Sequence, residues 1–291
     1  MKKVGVATDS HSGILPAQAE QLGISVLPMP FYVDEECYYE GVSITREQFF
    51  QYLREGKKVS TSQPSPEAVM EFWRACLKEY EELVYIPMSS GLSGSCHTAI
   101  ILSRDEEFEG KVFVVDNGRV ATPLHRSILD ALEMVEEGLH AQQIKDALET
   151  AKENMSIYIA VESLENLKKG GRISPATAAL GTLLNIKPIL KLGTEVLDTY
   201  KKSRGMKKAR KEMIEAMKQD FETVFREYYE RGEIYLLAAS SADEETTKGW
   251  LKEIREAFPG MEVMCDNLTL GISCHTGEGG LGIGCSCRPK R

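Results

Sequence analysis

The chain has 291 residues, of which 42% are hydrophobic and 27% are charged, with a formal net charge of −9. These values are typical of a globular protein with one large domain or two ordinary ones. The acidic balance argues against nucleic acid as a partner, since phosphate backbones require a basic surface. We find no apolar run long enough to cross a bilayer and no signal-peptide core near the start, so we expect a cytoplasmic protein.

The first half of the sequence alternates strands with amphipathic helices. Thr45 begins one helix as its N-cap and Gly56 ends it, while Gly23 ends the first helix. Continuous apolar strands between such helices indicate a parallel sheet covered on both faces. The predicted strands are 2–10, 24–33, 83–89 and 111–117, and the predicted helices are 14–23, 45–56, 65–82, 93–107, 123–137 and 141–153.

From about residue 156 strands outnumber helices. This change of pattern predicts a second α/β domain with a mixed sheet. Because no Pro- or Ser-rich linker intervenes, we place an α/β/α domain over residues 1–155 and a mixed-sheet α/β domain over residues 156–291. The predicted strands are 156–163, 186–192, 195–203, 233–241, 262–268 and 280–287, and the main helices are 205–230 and 244–257.

Seven cysteines occur without a CxxC pair, so neither a zinc ribbon nor a thioredoxin-like redox site is indicated. Cys285 and Cys287 form a C-x-C, and Cys274 precedes His275, which leaves a metal cluster as an alternative. Reduced, mostly buried thiols are the simpler interpretation. We therefore expect neither a metal nor a cofactor.

Three polar loops of the first half are candidates for a ligand site. Ligands of open α/β sheets bind beyond the carboxyl ends of the strands, where loops 7–13, 60–66 and 89–95 are predicted to lie. Each loop is rich in hydroxyls, and the third leads into a helix whose first N–H groups are available to an anion. It matches neither a Walker A loop nor GxGxxG. Turn formation and helix capping by Ser and Gly are the alternative explanation.

The segment ISCHTGEGGLGIG places His275 between a predicted apolar strand and a Gly-rich turn. An imidazole there can donate a hydrogen bond to an anion, although a lone histidine is often structural. Ser93 or Thr61 with His275 and Asp9 would supply the residue types of a Ser-His-Asp hydrolase. However, no serine of loop 89–95 stands in a GxSxG frame, so nothing positive supports this alternative.

A basic run, KKSRGMKKARK at 201–211, stands out in an acidic protein, and LKKGGR at 167–172 adds three more cations. A solvated helix face is the usual explanation of such runs. Here the charges crowd the start of predicted helix 205–230, where the helix dipole disfavours cations. The alternative is transient docking to an acidic partner or an anionic membrane surface. The residues concerned are Lys201, Lys202, Arg204, Lys207, Lys208, Arg210 and Lys211.

Six motifs follow one another over nearly the whole chain. They are TDS at 8–10, TSQPSP at 61–66, SSGLSGS at 89–95, ENLKKGGRIS at 165–174, NIKPIL at 185–190 and HTGEGGLGIG at 275–284. Together they resemble the DegV family of bacterial fatty-acid-binding proteins. No single motif carries the resemblance, but the ordered set does.

The resemblance implies a two-domain fold, an α/β/α domain with a parallel sheet followed by an α/β domain with a mixed sheet. It also implies that one long-chain fatty acid is held between the domains, with Thr61 and Ser93 bonding its carboxylate and His275 at the same head-group site. The further ligand-binding residues that we predict are Ser62, Gly277 and, through their N–H groups, Gly94 and Ser95.

Some family members are the acyl-carrying subunit of a bacterial fatty-acid kinase. A separate ATP-binding subunit then phosphorylates the bound carboxylate, and the acyl phosphate feeds phospholipid synthesis. The resemblance thus implies a lipid carrier, with such a kinase subunit as partner, rather than a stand-alone enzyme. The alternatives are a Ser/Thr–His hydrolase of an ester or phosphate ester, and an interaction protein that binds through its basic run.

Two departures from the family pattern concern the ligand. Glu278 stands where the family has proline, and a carboxylate near the head group would repel an anion unless it points away. Asn117, Pro123 and His125 stand after the fourth strand, where the family usually has a serine and small residues. We expect His125 to be a surface helix residue. These positions leave the preferred acyl chain open, and the oligomeric state is open as well.

Overall fold

A computed structural model describes residues 2–179, 186–192 and 196–290. Asn185 of the NIKPIL motif, Glu195 of a predicted strand, and residues 1 and 291 at the bounds of the predicted domains lie outside these ranges. The chain divides into two compact units. The first runs to Glu153 and includes the last few residues from Pro289, and the second is Asn154–Arg288.

The first unit is built on a four-stranded parallel sheet of order β2-β1-β6-β7. Apolar side chains pack on both of its faces, against α5 and α6 in one cluster and against α3 and α4 in another. The predicted parallel sheet with two covered faces is confirmed. The elements are β1 (Lys2–Asp9), a 3₁₀ turn (Ser10–Ser12), α1 (Pro16–Leu22), β2 (Ser25–Leu27), β3 (Phe31–Val33), β4 (Glu36–Tyr38), α2 (Arg46–Arg54), β5 (Val59–Thr61), α3 (Pro66–Cys76), β6 (Tyr80–Ile86), α4 (Ser95–Leu102), β7 (Val112–Val114), α5 (Ala121–Glu136) and α6 (Ala141–Thr150).

The predicted strand 24–33 is two strands in two different sheets. Pro28 and Pro30 lack the N–H that a continuous ladder requires, so β2 ends before them and β3 begins after them. β3 instead pairs with β4 and β5 in a small antiparallel sheet. Loop 60–66 therefore follows a strand of this small sheet rather than a strand of the parallel sheet.

The second unit is built on a six-stranded sheet of order β10-β9-β8-β13-β11-β12. β11 and β12 are parallel and the other neighbours are antiparallel, which confirms the predicted mixed sheet. The elements are β8 (Met155–Ala160), α7 (Glu165–Gly170), α8 (Pro175–Ala178), β9 (Ile186–Leu192), β10 (Leu197–Arg204), α9 (Met206–Glu222), α10 (Arg226–Glu230), β11 (Ile234–Ser240), α11 (Glu244–Ala257), β12 (Val263–Asn267), α12 (Leu270–Thr276) and β13 (Leu281–Cys287).

Two local predictions in the second unit need correction. The predicted helix 205–230 is broken into α9 and α10. The predicted strand 262–268 is β12, but His275 does not follow it directly, because the residues between them form α12 and His275 lies in the last turn of that helix. Apolar residues alternate along 268–274, which favours a strand on sequence alone. Packing of α12 against α7 overrides that local pattern.

Within the described residues, no helix is long and apolar enough to span a bilayer, and no group of three or more His, Cys, Asp or Glu is placed to hold a metal ion. The seven cysteines carry thiols. Cys37 is exposed and Cys265 is half-buried, while the other five are buried, as the prediction of mostly buried thiols required.

Candidate functional site

Asp9 organises the carboxyl edge of the parallel sheet. Its carboxylate is fully buried at the end of β1 and accepts N–H bonds from His11 at 2.9 Å and from Met88 at 2.8 Å. Because Met88 lies two residues beyond the end of β6, one carboxylate ties together the ends of two neighbouring parallel strands. The loops that leave these strands therefore start from a fixed edge.

Asp9 and Ser93 each contact neighbouring residues of their own loop, which gives both side chains a structural role. Asp9 also lies 3.4 Å from Nδ1 of the buried His11, so its carboxylate has partners within its own unit. The Ser93 hydroxyl bonds to the Ser95 hydroxyl at 2.9 Å. These contacts give no support to a charge relay that runs from Asp9 to a nucleophilic Ser93.

Loop 89–95 presents its hydroxyls at the start of α4. Gly94 is the N-cap residue and is exposed, Ser93 is half-buried, and Ser95 is buried. The Ser93 oxygen accepts the Ser95 N–H at 3.2 Å, so the loop itself uses one N–H that we predicted for a ligand. In the part of the chain that the structure describes, the Gly94 N–H has no hydrogen-bond partner. Ser93, Gly94 and Ser95 are consecutive residues, and together they form the start of α4.

The segment with Thr61 and Ser62 reaches this loop through Gln63. Thr61 ends β5, and the Ser62 N–H donates to the carbonyl of Pro30 at 3.3 Å. Gln63 Oε1 accepts the hydroxyl of Thr98 on α4 at 3.2 Å. It also lies 3.4 Å from the position that a Cβ on Gly94 would take. Sequence reasoning missed Gln63, although it stands inside the quoted TSQPSP motif. We call the two segments 61–63 and 93–95 the hydroxyl cluster. Its four hydroxyls belong to Thr61, Ser62, Ser93 and Ser95, and Gln63 and Gly94 are its other members.

Asp116, which lies just after β7, anchors loop 89–95. It accepts the Ser90 hydroxyl at 2.8 Å and the Lys152 ammonium at 2.9 Å. Burial alone would raise the pKa of Asp116, but the hydrogen bonds from Lys152 and Ser90, with the charge of Lys152, lower it below its ordinary value of 3.8. Asp116 therefore remains a carboxylate that holds the loop in place. Sequence reasoning missed this role as well.

Asp116→Asn is expected to reduce the free energy of unfolding by roughly 1 kcal/mol near neutral pH, since it removes the charge that pairs with Lys152. The folded-state pKa lies below the unfolded value, so this contribution is fully present above pH 3.8 and is lost as pH falls through the folded-state pKa. Urea denaturation of both proteins at neutral pH and below pH 3.8 checks this. A deficit that stays constant over that range would contradict the assignment.

In the second unit, His275 packs directly on Gly170. A Cβ on Gly170 would lie 2.2 Å from Nδ1 and 2.6 Å from Cε1 of His275, far inside van der Waals contact. Gly170 ends α7, and Gly171 follows with a φ of +69°, which favours glycine. The two glycines of LKKGGR are therefore needed for different reasons. Gly170 leaves room for the His275 ring, and Gly171 ends the helix.

Ser241 holds the turn that follows His275. Its hydroxyl donates to the carbonyl of Gly277 at 2.8 Å and accepts the N–H of Gly280 at 2.8 Å. Gly277 and Gly279 have φ values of +74° and +84°, so this backbone path favours glycine. Glu278 is half-buried within the turn. The turn is thus a fixed element that keeps Gly277 beside the end of α12.

Gly170→Ala is expected to displace the His275 ring and to lower the free energy of unfolding by about 1–3 kcal/mol, as for other insertions into packed sites. Imidazole NMR signals and urea denaturation measure the two effects. Gly249→Ala is the matched control. Gly249 lies inside α11 with nothing within 4 Å of its Cβ position, so alanine should stabilise that helix by about 0.5–1 kcal/mol. Unmoved His275 signals in Gly170→Ala would contradict the contact.

The atypical segment 117–125 contributes to the interior of the first unit. His125 is only 7% exposed on α5, so its predicted surface position was wrong. The Ser127 hydroxyl accepts the amide of Asn117 at 2.9 Å and the guanidinium of the fully buried Arg119 at 2.7 Å. This polar network is buried at the start of α5. From the sequence alone, these polar side chains could not be distinguished from polar side chains on the protein surface.

The basic run is divided between an edge strand and a helix. Lys201, Lys202 and Arg204 lie on β10 and the other four cations lie on α9. Glu212 pairs with Lys201 at 3.2 Å and with Lys208 at 3.8 Å, and Glu253 pairs with Arg210 at 3.2 Å. Of the seven cations of this run, all within the described residues, Lys202, Arg204, Lys207 and Lys211 form no ion pair.

A model of the family described as "Uncharacterised protein, DegV family" matches residues 3–287. The chain belongs to the DegV family. A DegV domain-containing protein of Caldanaerobacter subterraneus is 33% identical over 218 residues, which cover 75% of this chain and 78% of that protein. The quoted motifs therefore identified the family correctly.

Solved structures of DegV proteins are similar over almost the full length of the chain. A DegV family protein of Thermus thermophilus, described for its fatty-acid binding, is 31% identical with a TM-score of 0.86, covering 98% of this chain and 99% of that one. DegV of Bacillus subtilis, described as a fatty acid binding protein, is 26% identical with a TM-score of 0.83, covering 99% and 100%. This DegV chain thus shares the two-domain α/β fold that the motifs implied.

Proposed function

We propose that this protein binds a long-chain fatty acid and carries it in the cytoplasm. The observation that carries the proposal is the hydroxyl cluster, in which Ser93 and the exposed Gly94 N–H stand at the start of a helix. The fatty-acid binding described for the similar Thermus thermophilus protein supports it. A second function is not proposed, since no contact of Ser93 favours the hydrolase.

The chemistry of the cluster suits a carboxylate at the end of an apolar chain. Burial of each CH₂ of the acyl chain contributes about 0.8 kcal/mol, so a chain of about sixteen carbons contributes on the order of 10 kcal/mol before entropic costs. A carboxylate cannot be buried without hydrogen-bond donors. Hydroxyls of Thr61, Ser62 and Ser93 with the Gly94 N–H would supply them. His275 and Gly277 of the second unit are proposed as the remaining head-group residues, with Ser95 as the support of Ser93.

The cluster would also leave the bound carboxylate reactive. Loops 60–66 and 89–95 contain no Lys or Arg, so no bidentate guanidinium would occupy both oxygens. We propose that an ATP-binding kinase subunit then phosphorylates the carboxylate. One carboxylate oxygen attacks the γ-phosphorus of ATP, the bond to the β-phosphate oxygen breaks, and acyl phosphate and ADP result. The protein here is the carrier in that reaction and supplies its acyl product to phospholipid synthesis.

The basic run is the proposed docking surface for an acidic partner or an anionic membrane. Its support is the group of four cations without ion pairs, Lys202, Arg204, Lys207 and Lys211, which are all exposed. Exposed like charges without counter-ions in one basic run favour an anionic partner. The paired Lys201, Lys208 and Arg210 would contribute less.

Native mass spectrometry of the freshly purified protein, followed by denaturing extraction, tests the proposed function. We expect one bound ligand with the mass of a fatty acid of about 14 to 18 carbons. Extraction would name the acyl chain, which the sequence leaves open. An empty protein that also refuses added palmitate and oleate would contradict the proposal.

A further inference from the structure

We propose that Gln63 is a specificity-determining residue of the head-group site and that its side-chain amide selects an anionic head group. The inference rests on the proposed function, because it concerns the same hydroxyl cluster. It assigns to Gln63 a role apart from the hydroxyls, namely the two N–H donors of an amide whose oxygen contacts α4 from the loop that follows β5.

The position of the Gln63 amide follows from two contacts. Oε1 accepts the Thr98 hydroxyl at 3.2 Å, one turn into α4. Oε1 also lies 3.4 Å from the Cβ position of Gly94, so the amide lies over bare backbone at the N-cap of the helix. The amide oxygen is therefore held beside Gly94, the residue that follows Ser93.

The orientation of the amide determines which of its groups is available. Since Oε1 is engaged by Thr98, Nε2 with its two N–H donors is the part that remains. Over the described residues Nε2 has no protein partner, and Gln63 is exposed. With its oxygen held by Thr98, the amide offers a ligand two N–H donors and only the remaining lone pair of Oε1 as an acceptor. Such a group favours an oxyanion and offers less to a neutral hydroxyl head group of the same chain length.

The test compares two ligands that differ only in the head group, myristate and tetradecanol, in competition with a fluorescent fatty-acid probe. Gln63→Glu keeps an oxygen that Thr98 can donate to but replaces both N–H donors with negative charge. We expect affinity for myristate to fall by about tenfold or more and affinity for tetradecanol to stay within about twofold. Thr98→Val, which releases the amide without removing it, should lose affinity for myristate by a smaller factor.

Gln21→Glu is the matched control. Gln21 is exposed on α1 of the same unit and is not part of the cluster. The variant therefore introduces the same negative charge outside the cluster, and we expect it to bind both ligands as the wild type does. Equal binding of myristate to Gln63→Glu and wild type would overturn the inference, and so would an equal loss of both ligands. If wild-type protein binds neither ligand, the proposed function itself fails, which is a different result from either of these.

Discussion

Ser93→Ala should weaken fatty-acid binding by roughly 10- to 100-fold and leave the fold intact. A hydrogen bond to a charged group contributes about 1.5–3 kcal/mol, which corresponds to that range in affinity. Ser93 also orders its own loop, because its oxygen accepts the Ser95 N–H and bonds to the Ser95 hydroxyl. Its loss therefore removes the proposed donor to the carboxylate and the contacts of Ser93 with Ser95. Competition binding with palmitate measures the effect.

Ser103→Ala is the matched control for this experiment. Ser103 is the C-cap of the same helix, and its hydroxyl donates to the carbonyl of Ile100 at 3.0 Å. The control variant therefore removes a hydroxyl from α4 at the end away from the cluster. We expect unchanged palmitate binding in that variant. If Ser93→Ala binds palmitate as tightly as wild type, the assignment of Ser93 to the head group is wrong.

Asp9→Ala should lower the free energy of unfolding by roughly 2–5 kcal/mol. The substitution leaves two backbone N–H groups, of His11 and Met88, buried without an acceptor, and each such group costs about 1–3 kcal/mol. Because the two groups belong to loops that follow β1 and β6, fatty-acid binding should weaken as well. Urea denaturation gives the first effect and palmitate competition the second.

Asp105→Ala separates the effect of burial from the effect of the contact itself. Asp105 accepts the N–H of Glu107, two residues on, at 3.0 Å, as Asp9 does with His11 at 2.9 Å, but Asp105 is exposed. Water can replace the lost acceptor there, so we expect a change of less than about 1 kcal/mol. Equal losses in the two variants would show that burial of Asp9 does not decide its contribution.

Much of the fold follows from local signals that a single sequence carries. Thr45 predicts the start of α2, and its hydroxyl oxygen does accept the N–H of Gln48 at 3.3 Å. Continuous apolar runs indicated buried parallel strands, and the richer strand pattern after residue 156 indicated a mixed sheet. The loops rich in hydroxyls, including loop 89–95, were also visible as candidates. These features depend on residues within a few positions of one another.

Where local signals conflict, the tertiary structure decides. Pro28 and Pro30 interrupt what was predicted as one strand over 24–33, and its two halves join different sheets. The alternation before His275 favours a strand, and yet packing on α7 makes it α12. His125 is similar, since nothing local distinguishes an exposed histidine from one buried on the inner face of α5.

The sequence by itself determined the family, the two α/β units and the polar loops from which a head-group site could be built. Only the tertiary structure decided which distant side chains meet within each unit. Gln63 reaches Thr98 across 35 positions, Met88 reaches Asp9 across 79, and the His275 ring rests on Gly170. Periodicity and capping act over one or two turns of chain, whereas such pairs are chosen by the free energy of packing distant segments together.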